Sequence, residues 1–490
     1  MNDPTAEPET EARLKPSPAR AAVTPAPRAR KSAYHLPPGL RHNLVWYAFR
    51  KFRPADPIGL FQYLAREHGD IVHYKIGPEH ILFLNRADYI RQVLVVQNDN
   101  FTKERTVQRT KMLLGEGMIT SEGSEHRAQR QTAQPAFHRQ RVVAYAKTMV
   151  DETISLRESW TGGKPLDVST EMMHLTLRIV ARTLFNTELG GEVHELGEAI
   201  NTIMRLYNYL VALPAVEVLI HMRVPGLGRF AGAKRDLDTI VYRMIDEHRR
   251  KGISMDSGDL LDMMLRASES SSDASSPMST RGLHAAKADE LLRDQVITIF
   301  LAGYETVASA LTWTWYLLSQ NPEAERQMHQ EIDAVLAGRA PTADDVPNLK
   351  FVEMVFAESM RLYPPAWAMG RRAREDFSLG PYRMPAGTTV LISQFIAHRD
   401  SRNFANPLSF TPERFAPAGK ATFPKFSYFP FGAGFRQCIG EALAWTEGIL
   451  VLATIAQKWR LRLAPGHRAE VQPLITLRAK YGMPMLTEER

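Results

Sequence analysis

The chain has 490 residues, 44% of them apolar and 23% charged, with 61 Lys and Arg against 54 Asp and Glu. That supplies a large core, and an ordinary charge mixture near +7 overall is no signature of nucleic-acid binding. A single cysteine excludes disulfides within the chain and cysteine-rich zinc sites, and no zinc-finger spacing or Walker-type phosphate loop appears.

The first 33 residues are rich in Pro, Ala, Glu and Arg, acidic up to Glu11 and basic from Arg13 to Lys31. Almost devoid of large apolar side chains, they read as a disordered arm, taken as residues 1–35. The acidic start argues against a transit peptide, and with neither signal peptide nor membrane span in view a cytoplasmic protein is expected. Residues 36–490 are expected to form one large domain, mainly α with a small β portion. Pro57 to His68 has a helical pattern. Ile71 to Ile76 and Ile81 to Leu84 are β-rich runs joined by a turn from Gly77 to His80.

Ala87 to Val96 returns to helix, Phe101 to Gly117 is polar without a period and reads as a loop, and Glu125 to Ala133 is again helical. From Val142 to Gly252 nearly everything reads as helix, broken at Gly162-Gly163, Gly190-Gly191 and Pro214. Tyr207 to Met222 is the most apolar run, but Pro214 and Glu217 interrupt it and it is too short to span a membrane. Ser268 to Ser279 reads as a serine-rich linker. Ala288 to Gln320 is the longest helical pattern, apolar nearly all round from Val296 to Leu318, as expected of a helix buried through a domain centre. Val352 to Leu362 is a further helix, whereas Tyr382 to Pro385, Thr388 to Ser393 and the pieces after Leu461 read as strands. Strands near both ends and helices between favour one α-rich domain over alternating βαβ units.

The run from Phe431 to Gly440 holds the one cysteine, Cys438, among glycines at 432, 434 and 440. A helix pattern from Glu441 to Lys458 follows. The thiol is therefore placed at a helix N-terminus, where the dipole favours a thiolate, and Arg436 adds positive charge. A lone cysteine is commonly just a small buried hydrophobe. Here, however, Phe431, Gly434, Arg436, Cys438 and Gly440 fix five spaced positions. At roughly 5% per position, chance gives that about once in ten thousand chains of this length. The run resembles the haem-binding loop of the cytochrome P-450 family, in which the cysteine is the axial thiolate of the iron.

The resemblance implies a haem b ligated by Cys438 and contacted by Phe431, Gly432, Gly440 and Ala302. Ala302-Gly303-Tyr304-Glu305-Thr306 lies mid-way along the longest helix. A buried carboxylate and hydroxyl there are costly unless satisfied or used, and on the residues alone Thr306 bonding back to a carbonyl is equally open. In the family this stretch crosses the distal face, Glu305 and Thr306 carry protons to O2, and the small residues leave it room. His126 and Arg130 share a helix face at i, i+4 and, with Arg371 and Arg436, are the candidates for the haem propionates. His126 stands where the family usually has Trp, and adjacent Arg372 leaves the Arg371 assignment open. Glu358, Arg361 and Arg414 match the family's buried network under the cysteine loop.

By this resemblance the chain is a haem-thiolate monooxygenase of the soluble bacterial kind, inserting one oxygen atom of O2 into an apolar fatty acid, terpenoid or steroid-like molecule. Electrons are expected from a ferredoxin or flavodoxin with its reductase, docking on Arg127, Arg139, Arg141, Lys420 and Lys425, and a monomer is expected. Substrate walls are expected from Phe101 to Met118, Tyr207 to Leu219, Ile299, Ala302, Ala366 to Ala368 and the turn at Ile475-Thr476. A peroxide-using or rearranging enzyme, or a haem sensor or carrier, is the alternative; the paired Glu305 and Thr306 argue against both.

Overall fold

In the computed structural model, which describes residues 34–40, 56–188, 195–203, 227–252, 259–271 and 278–490, long helices occupy the middle of the chain and short strands both ends. Residues 1–33 of the N-terminal arm and the run from Tyr207 to Met222 lie outside these residues. Helix α1 (Pro57–His68) shows how local sequence sets the elements. Asp56 caps it by accepting from the Gly59 N–H at 2.9 Å, Pro57 opens it, and Ile58, Phe61 and Leu64 bury one stripe. Strands β1 (Ile71–Ile76) and β2 (Glu79–Leu84) form an antiparallel hairpin with Ile71 opposite Leu84, turning at Gly77 with φ 58°.

After a short helix from Ala87 to Arg91 comes β3 (Phe101–Lys103), then α2 (Gly123–Ala133), α3 (Arg139–Ser159), β4 (Pro165–Asp167) and α4 (Val168–Leu184). Three long helices follow: α5 (Leu227–Lys251), α6 (Leu260–Ser271) and α7 (Met278–Gln320). Next are α8 (Pro322–Leu336), α9 (Lys350–Leu362), β5 (Met369–Ala373), β6 (Phe377–Leu379), β7 (Tyr382–Met384) and β8 (Thr389–Ile392). The chain closes with α10 (Glu441–Ala456), β9 (Trp459–Leu463), β10 (Val471–Pro473), β11 (Leu477–Ala479) and β12 (Pro484–Glu489). The main sheet has the order β1-β2-β8-β5-β3, with β2 and β8 parallel and the other pairs antiparallel.

Helix α7 is the axis of the core: Trp313, Trp315 and Leu311 are all but inaccessible. Its apolar window is long enough to cross a membrane, yet 83% of it is buried inside the protein. Gly303 lets α4 lie close against it, since a Cβ there would sit 3.0 Å from Val180. Gly448 does the same for α9 and α10, where a Cβ would fall 2.3 Å from the Phe356 ring.

Two expectations from sequence need correction, and three elements went unread. Phe101 to Gly117 is not a loop: it holds β3 and two one-turn helices, Arg105–Arg109 and Lys111–Leu114. Its strand is only three residues long and exists through pairing with β5, far off in sequence. The serine-rich run is helical at both ends, because α6 continues to Ser271 and α7 starts at Met278 rather than Ala288; residues 272–277 lie outside the description. Finally, α8, β5 and β6 had no reading from the sequence.

Candidate active site

The cysteine loop is shaped by its glycines. Gly432 and Gly434 both adopt φ 72°, a conformation side chains disfavour. A Cβ on Gly434 would fall 2.1 Å from the Leu94 carbonyl oxygen. The Cys438 N–H donates to the Phe431 carbonyl at 3.0 Å and the Gln437 N–H to that of Gly434 at 3.0 Å. From behind, the Phe429 N–H donates to His398 Nε2 at 3.0 Å. Cys438 then stands just before α10, and its exposed surface faces an apolar cavity of about 300 Å³.

Phe431, Gly432, Gly440, Ala302 and Thr306 all line this cavity, with Ile299, Leu184, Phe137, Pro365 and Ala366 among its apolar walls. Arg371 and Arg436 line it too. The phase of β5 decides between neighbours: Arg372 bonds Glu79 at 3.0 Å, while Arg371 turns to the cavity and meets only the Gly370 carbonyl, at 2.8 Å. The β3–β5 register sets Lys103 directly opposite Arg371, an arrangement that like charges disfavour. Lys103, 8% exposed, donates to the Met118 and Ser121 carbonyls at 2.8 and 2.6 Å. Burial, then Arg436, draws its pKa down to about 7. Burial and Arg436 likewise bring Arg371 to about 10.

His126 and Arg130 stand beside this cluster rather than in the cavity wall. Arg130 donates to the Gln437 carbonyl at 2.8 Å, bracing the cysteine loop. His126 packs edge-on to Phe435 with ring centres 5.4 Å apart. Burial, reinforced by Lys103, Arg436 and Arg130, lowers its pKa to about 4, so it is neutral at pH 7. Its Nδ1 and the Nη1 of Arg436 are buried without a partner among the described residues. One carboxylate, Glu122, accepts from Arg436 and from the Lys103 N–H. The cations outnumber it. A group carrying two carboxylates would satisfy the orphaned donors, and haem with its propionates fits the cavity, the thiol and this charge excess together.

The positive charge that the sequence led one to expect Arg436 to add at the thiol is directed elsewhere: Arg436 reaches away to Glu122. Burial pushes the Cys438 thiol above its ordinary range, with the Gly440 N–H and Arg130 opposing and Glu441 assisting. Glu305 also differs from expectation. Thr306 faces the cavity and bonds back to the Ala302 carbonyl at 2.8 Å, but the Glu305 carboxylate emerges on another side of α7. There it accepts from Thr476 at 2.5 Å and from Arg478 at 2.8 Å. It faces a second, more polar cavity of about 150 Å³ shared with Asn201, Thr170 and Lys480.

Lys103 and Glu122 escaped the sequence reading, as did two other groups in the cavity wall. Gln394 is fully buried, and neither of its amide atoms has a partner among the described residues. Glu447 on α10 is buried with no partner for Oε1, and desolvation raises its pKa to about 8. The buried network of Glu358, Arg361 and Arg414 is present: Arg361 grips Glu358 at 2.6 and 2.7 Å, and Arg414 reaches it at 3.4 Å.

The sequence pattern of the family described as Cytochrome P450 matches residues 36–480. This chain belongs to the cytochrome P450 family. Its cofactor is therefore haem ligated by a cysteine thiolate, and with only one cysteine in the chain that ligand is Cys438. It is an oxygen-incorporating oxidoreductase, a cytochrome P450 monooxygenase, of mainly α fold. Among its relatives are cyclooctatin synthase of Streptomyces melanosporofaciens, 38% identical over 84% of this chain and 87% of that one, and cyclooctat-9-en-7-ol 5-monooxygenase of the same organism, 37% identical over 81% and 84%. Pentalenene oxygenase of Streptomyces avermitilis is 33% identical over 83% and 87%.

Proposed function

We propose that this cytochrome P450 is a cytoplasmic terpenoid monooxygenase that receives electrons from a separate ferredoxin or flavodoxin. The carrying observation is the apolar cavity that brings Cys438, Thr306 and the Arg371–Arg436 cluster onto one surface. The relatives named for terpenoid oxidation support the substrate class.

Bound haem supplies the oxidising chemistry: a substrate C–H, O2, two electrons and two protons give an alcohol and water. The protein does the rest. Arg371 and Arg436 clamp the propionates, Arg130 steadies the loop that presents Cys438, and Ile299, Leu184 and Ala366 exclude water from the substrate. Ala302 leaves open the space that Thr306 overlooks. The Thr306 hydroxyl, free to swing from the Ala302 carbonyl, holds a proton donor there. Glu305 draws protons from the polar cavity behind α7 and passes them around the helix, a route that requires it to loosen from Arg478. Arg127, Arg139, Lys420 and Lys425 are exposed, and Arg127 lies over the ring of exposed Phe435 in the cysteine loop, 5.8 Å from its centre. An acidic electron donor fits that face, and its rate of reduction should fall with added salt.

The deciding experiment is the reduced carbon monoxide spectrum of Cys438→His. The variant is expected to retain some haem but lose the thiolate band; a retained band would overturn the assignment of the site.

A further inference from the structure

The end of α5 and the start of α6 bring together three side chains of the kinds that bind metals. His248 on the last turn of α5, Asp259 immediately before α6 and Asp262 on its first turn are 5%, 3% and 3% exposed. One ligand atom from each lies within 4.8 Å of the other two. None of the three lines the cavity at Cys438 or the more polar one behind α7. A helix start explains only part of this. Asp259 caps α6 by accepting from the Asp262 N–H at 2.8 Å, a bond that uses its Oδ1. Such a cap needs neither a buried imidazole nor a second buried carboxylate.

The orientation of His248 carries the argument further. Its Nδ1 stands 3.1 Å from the Met244 carbonyl, and a carbonyl oxygen can only accept, so Nδ1 carries the hydrogen. A neutral ring then turns its Nε2 lone pair toward Asp259 Oδ2 at 3.7 Å, acceptor against acceptor. Burial opposes a second proton on the ring and Asp259 favours it, with a net rise in pKa. Yet a protonated Nε2 at 3.7 Å is still beyond hydrogen-bond reach, and Nε2 makes no other hydrogen bond among the described residues. An Nδ1–H held by a backbone carbonyl is also how metal-ligating imidazoles are commonly oriented. On α3, the Tyr145 hydroxyl is buried without a partner among the described residues. Burial raises its pKa to about 12, with Arg141 opposing and Asp259 adding to the rise, which sets the phenol beside the cluster.

We propose that His248, Asp259 and Asp262 hold a zinc ion that ties the end of α5 to the start of α6. One imidazole and two carboxylates suit zinc, with ligand bonds of about 2.0–2.2 Å. Two such ligands stand at most about 4.4 Å apart, so the cluster has to close only slightly. Calcium and magnesium favour a fuller shell of oxygens and fit a nitrogen-containing set of three poorly. The fourth position falls to a water, which can donate to the Tyr145 hydroxyl. Away from both cavities, the ion braces the fold and takes no part in the oxidation.

The test uses the tag-free holoenzyme, stripped with a chelator and titrated with zinc alone. One equivalent should bind in the micromolar range or tighter and raise the melting temperature, because only the folded chain assembles the three ligands. His248→Gln and Asp262→Asn should each weaken zinc binding at least ~10-fold and remove the melting rise, with the thiolate band unchanged. The chain has 15 histidines, and His73 on β1 faces His80 on β2 at 2.9 Å, so His80→Ala is the control and should bind zinc as wild type does. X-ray absorption at the zinc edge, separate from that of the haem iron, should show one imidazole and otherwise oxygen neighbours at about 2.0–2.2 Å. This measurement reads the wild-type protein and decides even if a variant does not fold. No tight zinc in wild type, zinc held equally well by His248→Gln, zinc lost in His80→Ala, or a shell with sulfur or two imidazoles each overturns the proposal.

Discussion

Two clusters of buried arginine lie in this fold, and they are built on opposite principles. Around Arg361 every donor is answered: Glu358 takes two bonds, and the carbonyls of His398, Pro407 and Ser409 accept the others at 2.8, 2.7 and 3.1 Å. Around Arg371 and Arg436 the cations crowd one another: burial and the Arg436 charge lower the pKa values of Arg371 and Lys103, and donors are left orphaned among the described residues. The first cluster is closed, so it can only hold structure. The second is unfinished, and its missing charge is negative. Burial alone therefore says little about role; the balance of charge and bonds says more.

Breaking the closed cluster should have the largest effect on holoenzyme stability. Arg361→Ala leaves Glu358, itself fully buried, with Arg414 at 3.4 Å and the Thr411 N–H at 2.9 Å but without its main counter-charge, at a cost of about 3–5 kcal/mol. Soluble, haem-loaded yield should collapse; full haem content with unchanged melting would show the network to be dispensable.

The open cluster should respond with a sign that depends on the cofactor. Arg371→Leu removes a propionate partner, costing the holoenzyme about 1.5–3 kcal/mol, yet it relieves repulsion from Arg436 and Lys103. The apoprotein should thus melt at the same temperature or higher, while haem dissociates faster. A variant that destabilises both forms alike would place Arg371 with the structural arginines.

Lys103 sharpens the contrast through pH, with a smaller effect. The folded apoprotein gives up its proton near pH 7, whereas the unfolded chain holds it to the ordinary lysine value of 10.5. The unfolded state therefore binds more protons between these values, and apoprotein stability gains from this group as pH rises from 7 to 10. Propionates should restore the charge, so haem binding at pH 8–9 should take up a proton. Lys103→Met should abolish the uptake, measured by calorimetry in buffers of different ionisation enthalpy; uptake unchanged by the mutation would remove Lys103 from the cofactor site.

What the sequence disclosed follows the same division. Cys438 and its glycines were legible because the loop's geometry is local and each glycine answers a nearby constraint. The Glu358–Arg361 pair was legible as i, i+3 on a helix. The open cluster was only half legible: Arg371 could not be told from Arg372 without the phase of β5, and Lys103 lay in a polar run whose strand exists only through β5. Glu305 was placed beside Thr306 because they adjoin in sequence. Its side chain goes the other way because Thr476 and Arg478, on the β10–β11 hairpin, meet it behind the helix.

That separation makes Thr306→Ala the mildest change to the fold and a sharp test of function. The hydroxyl bonds only to the Ala302 carbonyl within its own helix, so its loss should leave melting, haem content and the thiolate band unchanged. Glu305 keeps its bonds to Thr476 and Arg478 and still faces the polar cavity. What disappears is the one polar side chain of the Glu305–Thr306 pair on the cavity side, where protons must arrive for oxygen to end as product and water. Electron consumption should continue while product per electron falls and hydrogen peroxide makes up much of the difference. General acid help of this kind is typically a factor of ~10²–10⁴ in a chemical step, and water entering the space of the lost hydroxyl would recover part of it. Thr306→Ser, which keeps the hydroxyl, should restore most of the coupling. Product and peroxide per electron, measured in wild type and both variants with one accepted substrate, give the answer. If coupling is the same in all three, Thr306 is a back-bonded helix residue and protons reach the cavity without it.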